Sequence, residues 1–108
     1  MPNGARLTYP TALVLLAIRS GLRYGFDVID GTGLRSGTVY PILRRLEDTG
    51  LLRSHWEADA VAREEGRPPR RYYELTGGGA ELAREALDRY PRLAGIVGPA
   101  GRPIPSPA

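Results

Sequence analysis

Arginine is the residue type in this sequence whose spacing suggests chemistry. All 15 positions counted as lysine or arginine are arginines, and the formal net charge is +3. Arg44 and Arg45 are adjacent, and three more arginines lie within residues 67–71, around a Pro-Pro pair. A guanidinium presents a planar fork of donors that matches a phosphate group or the edge of a guanine. The spacing therefore favours binding of a polyanion, with solvated surface charges as the ordinary alternative.

Residues that catalyse reactions or bind metals are scarce. There is no cysteine, and His55 is the only histidine. Disulfides, thiolate catalysis and cysteine-ligated metal sites are therefore excluded, and one histidine alone does not build a metal cluster. The glycine-rich segment 31–37 lacks the lysine of a nucleotide triphosphate loop and the third glycine of a dinucleotide loop. We predict that the protein is not an enzyme and that it needs no metal or cofactor.

Arg44 and Arg45 lie in a stretch, from Ser36 to Gly50, that predicts a short helix. We expect the Ser36 side chain to accept hydrogen bonds from the first-turn amides and Gly50 to take the left-handed conformation that ends a helix. Pro41 removes one backbone hydrogen bond, which is tolerable near the first turn. At about 100° per residue the apolar side chains share one face, which should pack. They are Val39, Ile42, Leu43 and Leu46.

Two further helices are predicted before this one. Thr8 or Thr11 can begin a helix whose apolar side chains cover most of its circumference as far as residues 20–21, so it should lie in the middle of the core. Residues 24–30 fit either a strand or a helix, and the Gly-Thr-Gly after them favours a helix of about two turns. A tight connection then leads to Ser36. Two short helices joined in this way, the second with a basic outer face, indicate a helix-turn-helix.

The chain after the basic helix predicts a hairpin and a last helix. Alternating residues in 51–57 and 70–75 indicate two strands, and the polar connection 58–69 should stand out as a wing. Thr76 is expected to cap the last helix, and Pro91 to end it. The predicted fold is mostly α with a small β-hairpin, a winged helix-turn-helix with a C-terminal dimerisation helix. The predicted units are a DNA-binding domain at 8–76, a dimerisation helix at 77–97 and a disordered tail at 98–108.

Three blocks of sequence resemble the PadR family of transcriptional regulators, in the order and spacing of that family. They are Tyr24-Gly-Phe-Asp-Val-Ile, the segment from Ser36 to Leu52, and Arg67-Pro-Pro-Arg-Arg-Tyr-Tyr-Glu-Leu-Thr with Gly79. The resemblance covers about residues 9–90. It implies a DNA-binding homodimer, usually a repressor, whose C-terminal helices pair between subunits and whose effectors are small hydrophobic or phenolic molecules. The chain looks like a short branch of the family with a single C-terminal helix.

The predicted site residues follow from these elements. The expected DNA contacts are Tyr24, Ser36, Gly37, Thr38, Tyr40, Pro41, Arg44, Arg45, Arg67, Arg70 and Arg71. The expected dimer contacts are Ala83, Ala86, Leu87, Tyr90 and Leu93. Trp56 and Tyr90 are candidates for effector binding, with packing in the hairpin and in the dimer as the ordinary alternatives.

We therefore predict a sequence-specific transcriptional regulator, a repressor that a small-molecule effector releases. Its partners would be double-stranded DNA, a second copy of the chain and a small hydrophobic or phenolic effector. The alternative is a winged-helix module that contacts other proteins and whose basic face is incidental. The longest apolar run, residues 12–18, is shorter than the roughly 20 residues that cross a bilayer, so we expect no membrane contact and a cytoplasmic location.

Overall fold

The computed structural model describes residues 7–94, which form five helices and one two-stranded antiparallel sheet. In chain order the elements are α1 (Tyr9–Arg19), α2 (Gly25–Thr32), α3 (Ser36–Asp48), β1 (Leu52–Trp56), α4 (Asp59–Glu64), β2 (Arg71–Leu75) and α5 (Gly77–Arg89). A mostly helical fold with one hairpin confirms the predicted fold class. The predicted tail at 98–108 and the end of the 77–97 segment lie outside the described residues.

α1 forms the centre of the core, as its sequence predicts. The side-chain oxygen of Thr8 caps the helix by accepting a hydrogen bond from the Thr11 amide at 3.3 Å. Every residue from 11 to 18 is buried. The helix is covered on most sides because α2, α3, β2 and α5 all pack against it. An apolar helix of this kind supplies the surface on which the other elements assemble.

α2 and α3 form the predicted helix-turn-helix. The ambiguous segment 24–30 is helical, with Tyr24 at its N-cap and Gly33, at φ 73°, after its last turn. The apolar face of α3 is buried as predicted, and the four side chains on it are at most 6% exposed. Gly50 has φ 78°, the left-handed conformation expected at the end of α3. The core therefore holds α3 by one face and leaves the other outside.

The expected capping role of Ser36 is wrong. The N-cap of α3 is Arg35, and no side-chain hydrogen bond caps the helix there. Ser36 is instead the first helical residue, and it is exposed. The first N–H groups of a helix have no partner within the helix, so this end of α3 presents amide donors to the surroundings.

The hairpin is tied directly to the helix-turn-helix. β1 and β2 pair antiparallel along their whole length. The other edge of β2 contacts the chain just before α2, where the Tyr73 amide donates to the Arg23 carbonyl at 2.9 Å and Tyr24 forms a β-bridge with Tyr72. The position of the hairpin is therefore set by the start of α2 as well as by the core.

The connection between the strands contains a helix that was not predicted from the sequence. Instead of a polar loop throughout 58–69, the chain forms α4 and buries Ala62 on its inner side. Asp59 lies in the first turn, where a negative charge favours the helix dipole, and Gly66, at φ 69°, follows the helix. One buried side chain gives no apolar periodicity, so the pattern of this segment indicated a loop.

α5 begins and ends near the predicted residues. The Thr76 Oγ1 atom accepts a hydrogen bond from the Gly79 amide at 3.2 Å, and the last helical residue is Arg89. The helix stops before Pro91, which disfavours a helical conformation for the residue that precedes it. The three glycines of the first turn do not prevent the helix from forming, because the Thr76 cap satisfies one of its free amides.

The apolar stripe of α5 packs inside its own subunit, contrary to the expected dimer contact. Ala83 and Ala86 of α5, and Leu93 beyond its end, are 0% exposed and belong to the core. A second subunit cannot reach these three side chains. Of the expected dimer contacts, Leu87 and Tyr90 are half-buried and extend to the surface. The stripe is needed internally because α5 covers a side of α1 that would otherwise face water.

Candidate nucleic-acid interface

The outer face of α3 carries the two adjacent arginines. Arg44 and Arg45 are exposed, and within residues 7–94 neither forms an ion pair. A shallow groove of about 490 Å³ runs beside them, lined by Tyr40, Pro41, Arg44, Arg45, Asp48 and Thr49. A Cβ added at Gly37 would meet no described atom within 4 Å, so the beginning of this face is open. Among the described residues, neither guanidinium on this face has an ion-pair partner, and the opposite face of the helix is buried.

The other predicted residues of α3 surround these arginines. Residues 36–37 and Pro41 are exposed, and Thr38 is half-buried. Tyr40 is 44% exposed, and its ring lies against Gly25 at the start of α2. A Cβ added at Gly25 would be 2.6 Å from the Tyr40 hydroxyl oxygen. The lack of a side chain at Gly25 therefore allows α2 and α3 to approach each other closely.

Arg67, the first of the wing arginines, is held by an ion pair. Its guanidinium donates to both carboxylate oxygens of Glu57, at 2.5 and 2.9 Å. The Arg67 side chain is 20% exposed and that of Glu57 is 4% exposed. A two-pronged pair of this kind is among the stronger charge-assisted contacts in proteins. The guanidinium that sequence analysis assigned to DNA is thus occupied by a carboxylate at the base of the wing.

Arg70 has different surroundings from Arg67. It is exposed, and its guanidinium carbon lies 4.4 Å from the centroid of the Tyr24 ring. The Tyr24 ring in turn lies 4.8 Å from the Tyr72 ring, and the two hydroxyl oxygens are 3.3 Å apart. A cation over an aromatic face is attracted to the ring and keeps its other side accessible. Two predicted residues, Tyr24 and Arg70, are therefore brought together at the wing.

Arg71 connects the hairpin to α3. Its Nε atom donates to the Ser54 Oγ atom at 3.0 Å, and its NH2 atom lies 3.3 Å from a carboxylate oxygen of Glu47. The Ser54 hydroxyl also donates to the same Glu47 oxygen, at 2.5 Å. The Arg71 guanidinium lies over Trp56 as well, 5.4 Å from the ring centroid. Arg71 thus fixes the hairpin against α3 while remaining exposed.

A cleft of about 350 Å³ joins the wing to the helix-turn-helix. Its lining residues are Tyr24, Gly25, Phe26, Tyr40, residues 67–71 and Tyr73. Phe26 is 78% exposed, and sequence analysis did not assign it to the site. The sequence did contain a signal for its exposure. At about 100° per residue around the helix axis, Phe26 lies roughly 200° from Val28, which is buried. Phe26 therefore adds an exposed aromatic ring beside the arginines of this cleft.

The ion pair at the wing base determines how the wing responds to acid. Hydrogen bonding from Arg67 holds the pKa of Glu57 at about 2, below the usual 4.5, and the Arg70 amide and the Tyr72 hydroxyl add to this effect. The pKa of Tyr72 is raised to about 12 by its hydrogen bond with Tyr24, by burial and by Glu57. Because the pKa of Glu57 is lower in the folded protein than in the unfolded chain, the Glu57 carboxylate stabilises the fold above about pH 4.5. This stabilisation is lost as the pH falls toward 2.

Trp56, the only tryptophan, precedes Glu57 in the chain, so its fluorescence can be used to follow structural change at the base of the wing. We expect the part of its fluorescence change that Glu57→Gln abolishes to appear only as the pH falls below the ordinary carboxyl range. Glu57→Gln serves as the matched control, since it removes the titrating group. A transition above about pH 5 that is present in the wild type and absent in Glu57→Gln would contradict the depressed pKa of Glu57.

The two residues proposed for effector binding lie in different surroundings. Trp56 is 62% exposed, so the alternative expectation that it packs on the apolar side of the hairpin is wrong. It occupies the end of β1 away from the core, opposite the exposed Arg71. Tyr90 packs edge-on against Tyr9, with the ring centroids 5.4 Å apart. Neither residue lines the groove or the cleft described above.

Comparisons with known proteins identify relatives of this chain by sequence and by fold. A family model described as the transcriptional regulator PadR-like family matches residues 14–85, more than half of the chain. No curated protein matches the sequence significantly. Among the helices of residues 7–94, none has the length and apolarity that crossing a bilayer requires.

Several solved structures share the fold. A PadR-like transcription factor from Bacteroides fragilis is 28% identical, with a TM-score of 0.61, over 81% of this chain and 84% of that one. A PadR family transcription regulator from Clostridium difficile is 21% identical, with a TM-score of 0.66, over 83% and 95% of the two chains. BpsR of Bordetella bronchiseptica, whose DNA binding is regulated by 6-hydroxynicotinic acid, is 22% identical, with a TM-score of 0.59. The match covers 94% of this chain and 70% of that one.

Proposed function

Because the chain belongs to the PadR-like family of transcriptional regulators, we propose that it binds double-stranded DNA in a sequence-specific manner and acts as a repressor. The observation that carries this proposal is the outer face of α3, where Arg44 and Arg45 are exposed and unpaired among the described residues. The opposite face of the same helix is fixed in the core. A helix held in this way can enter the major groove, which admits one α-helix.

The two groups of arginines have separate roles in this proposal. Arg44 and Arg45 read base edges in the major groove, since a guanidinium can donate to both acceptors of a guanine. Arg70, on the wing, contacts a phosphate of the adjacent backbone and contributes affinity and register rather than sequence preference. Arg67 holds the wing through Glu57 and takes no part in direct contact. Phe26 and Tyr40 pack against the sugars between these two regions.

The proposed working unit is a homodimer. Two α3 helices related by a two-fold axis would occupy successive major grooves about 34 Å apart, on a site with matching symmetry. Since the stripe of α5 is used internally, we place the dimer contact at the surface formed by Tyr9, Leu87 and Tyr90. Tyr9 is 46% exposed, and the other two are half-buried. This surface combines aromatic and aliphatic groups, which are enriched at such contacts.

Sedimentation velocity tests the dimer. We expect the wild type to sediment as a dimer at micromolar concentration and Tyr9→Asp to sediment as a folded monomer, because a carboxylate at the contact would be buried without a partner. Phe26→Asp is the matched control, since Phe26 is also an exposed aromatic residue but lies on the side assigned to DNA, and it should remain dimeric. A monomeric wild type would contradict the proposed assembly.

Release by a small effector completes the proposal. Support comes from BpsR, a structural neighbour whose DNA binding is regulated by 6-hydroxynicotinic acid. In this chain an effector of hydrophobic or phenolic character, bound near Trp56 and Tyr90 in the dimer, would alter the separation of the two α3 helices and so favour a state with weaker DNA affinity. The protein would act in the cytoplasm, where it meets the chromosome.

Equilibrium binding to labelled duplexes tests the proposed function. The duplexes are the DNA upstream of the gene for this protein and a scrambled duplex of equal composition, each measured from low to physiological salt. We expect tighter binding to the upstream duplex by roughly a thousandfold or more at physiological salt, and a steep loss of affinity with salt for both. Equal affinity for the two duplexes would favour the alternative, a winged-helix module that contacts proteins.

A further inference from the structure

Four residues form a closed ring of contacts at the base of the wing, which we call the Glu57 ring. The Glu57 amide donates to the Arg70 carbonyl at 2.8 Å, and the Arg70 amide donates to a Glu57 carboxylate oxygen at 3.2 Å. The Tyr72 hydroxyl donates to the other oxygen of Glu57 at 3.1 Å and lies 3.3 Å from the Tyr24 hydroxyl. The Arg70 guanidinium over the Tyr24 ring closes the ring.

Glu57 is the member of the ring whose side chain accepts the most hydrogen bonds. Its carboxylate accepts hydrogen bonds from three residues, which are Arg67, Arg70 and Tyr72. The side chain is 4% exposed, and the charge on Arg67 balances the charge of its carboxylate. A buried carboxylate is stable only when it is paired and hydrogen-bonded in this way. Since its charge is covered and balanced, Glu57 does not repel a nearby phosphate.

The ring restricts Arg70 before any ligand arrives. Both hydrogen-bonding groups of its main chain are bonded to Glu57, and its guanidinium lies against Tyr24. A long side chain normally loses rotamer freedom when it binds, and a side chain that is already ordered loses less. The Tyr24 ring stands at the N-cap of α2, so the guanidinium has a defined position relative to the helix-turn-helix.

We propose that Glu57 is a positioning residue for DNA binding, which acts by directing Arg70 at a backbone phosphate next to the groove that α3 enters. This inference rests on the proposed function and assigns to an acidic residue a role in binding a polyanion. Glu57 touches no DNA in this arrangement. Its effect on the phosphate contact passes through Arg70, whereas its pair with Arg67 holds the wing as a whole. The coupling to Arg70 is what distinguishes the proposal from a general structural role.

A double-mutant cycle tests this coupling. Affinity for the upstream duplex and its dependence on salt are measured for the wild type, Glu57→Gln, Arg70→Ala and the double variant. We expect Arg70→Ala to lower affinity roughly three- to tenfold and to reduce the salt slope by about one, as loss of one phosphate contact does. Glu57→Gln should give a similar or smaller loss, and the double variant should match Arg70→Ala alone. Additive losses would overturn the proposal.

The controls separate this proposal from folding effects and from the proposed function. Glu74→Gln breaks an exposed ion pair with Arg53 on the same hairpin and should leave affinity unchanged. If Glu57→Gln does not fold, as judged by circular dichroism, Tyr72→Phe removes two hydroxyl contacts of the ring and should show the same coupling to Arg70. If the wild type binds DNA but Arg70→Ala has no effect, this proposal is wrong and the proposed function stands. Absence of wild-type binding would refute both.

Discussion

Replacing Gly79 with alanine is expected to unfold the protein at a markedly lower temperature. A Cβ at this position would lie 2.0 Å from the carbonyl oxygen of Leu51 and 3.0 Å from the carbonyl carbon of the same residue. Both atoms belong to the backbone, and the Leu51 carbonyl is also the acceptor for the Thr76 amide at 3.2 Å. The clash can be relieved only by moving α5 away from the start of the hairpin. We expect a loss of about 2–3 kcal/mol, or roughly 10–20 °C in melting temperature.

The first turn of α5 supplies its own control. Gly77 is two residues earlier in the same helix, and a Cβ there would meet no described atom within 4 Å. Alanine at Gly77 should leave the stability unchanged or raise it by up to about 0.5 kcal/mol, because it restricts the unfolded chain. Thermal unfolding followed by circular dichroism measures both variants. Equal melting temperatures for the two would show that α5 does not approach Leu51 as closely as described.

Replacing both Arg44 and Arg45 with alanine is expected to give the largest loss of DNA binding. Each guanidinium that donates to both acceptors of a guanine discriminates by about 1–3 kcal/mol, so the pair should contribute a factor of about 30 or more to specific affinity. Both side chains are exposed, so stability should change by less than about 0.5 kcal/mol. The residual affinity should be nearly the same for the upstream and the scrambled duplex.

The matched control removes the same charge elsewhere. Arg84 and Arg92 are exposed near the C-terminal end of the described residues, and the Arg84→Ala/Arg92→Ala variant lowers the net charge equally. It should retain sequence preference and lose only a small part of its affinity, because distant charges act through a screened field. Fluorescence anisotropy with both duplexes gives the comparison. Similar losses in the two double variants would mean that net charge, and not α3, accounts for binding.

Four of the five described helices were predictable from sequence because their signals are local. The apolar positions of α3 repeat at helical spacing and are buried, and Gly50 ends that helix as expected. Thr76 caps α5 and Pro91 limits it. The resemblance over three blocks added the order in which these elements assemble. In each case, residues within one or two turns of each other determine the structure.

The side-chain contacts that sequence did not predict depend on partners distant in the chain. Sequence analysis assigned Arg67 to DNA, and its pairing with Glu57, ten residues away, depends on how the wing folds back. Ala83 and Ala86 formed an apolar stripe, and the pattern alone does not distinguish a stripe that contacts α1 from one that contacts a second subunit. The need for glycine at position 79 likewise comes from a carbonyl on another element.

The most direct test of the central claim, that α3 reads bases in the major groove, is methylation protection. Dimethyl sulfate methylates guanine N7, the atom that a bidentate arginine would contact. We predict that the wild type protects guanines in two half-sites about one helical turn apart and that Arg44→Ala/Arg45→Ala, at a concentration that saturates the duplex, leaves them reactive. Unchanged guanine reactivity under saturating wild-type protein, or equal protection by the variant, would contradict the role assigned to α3.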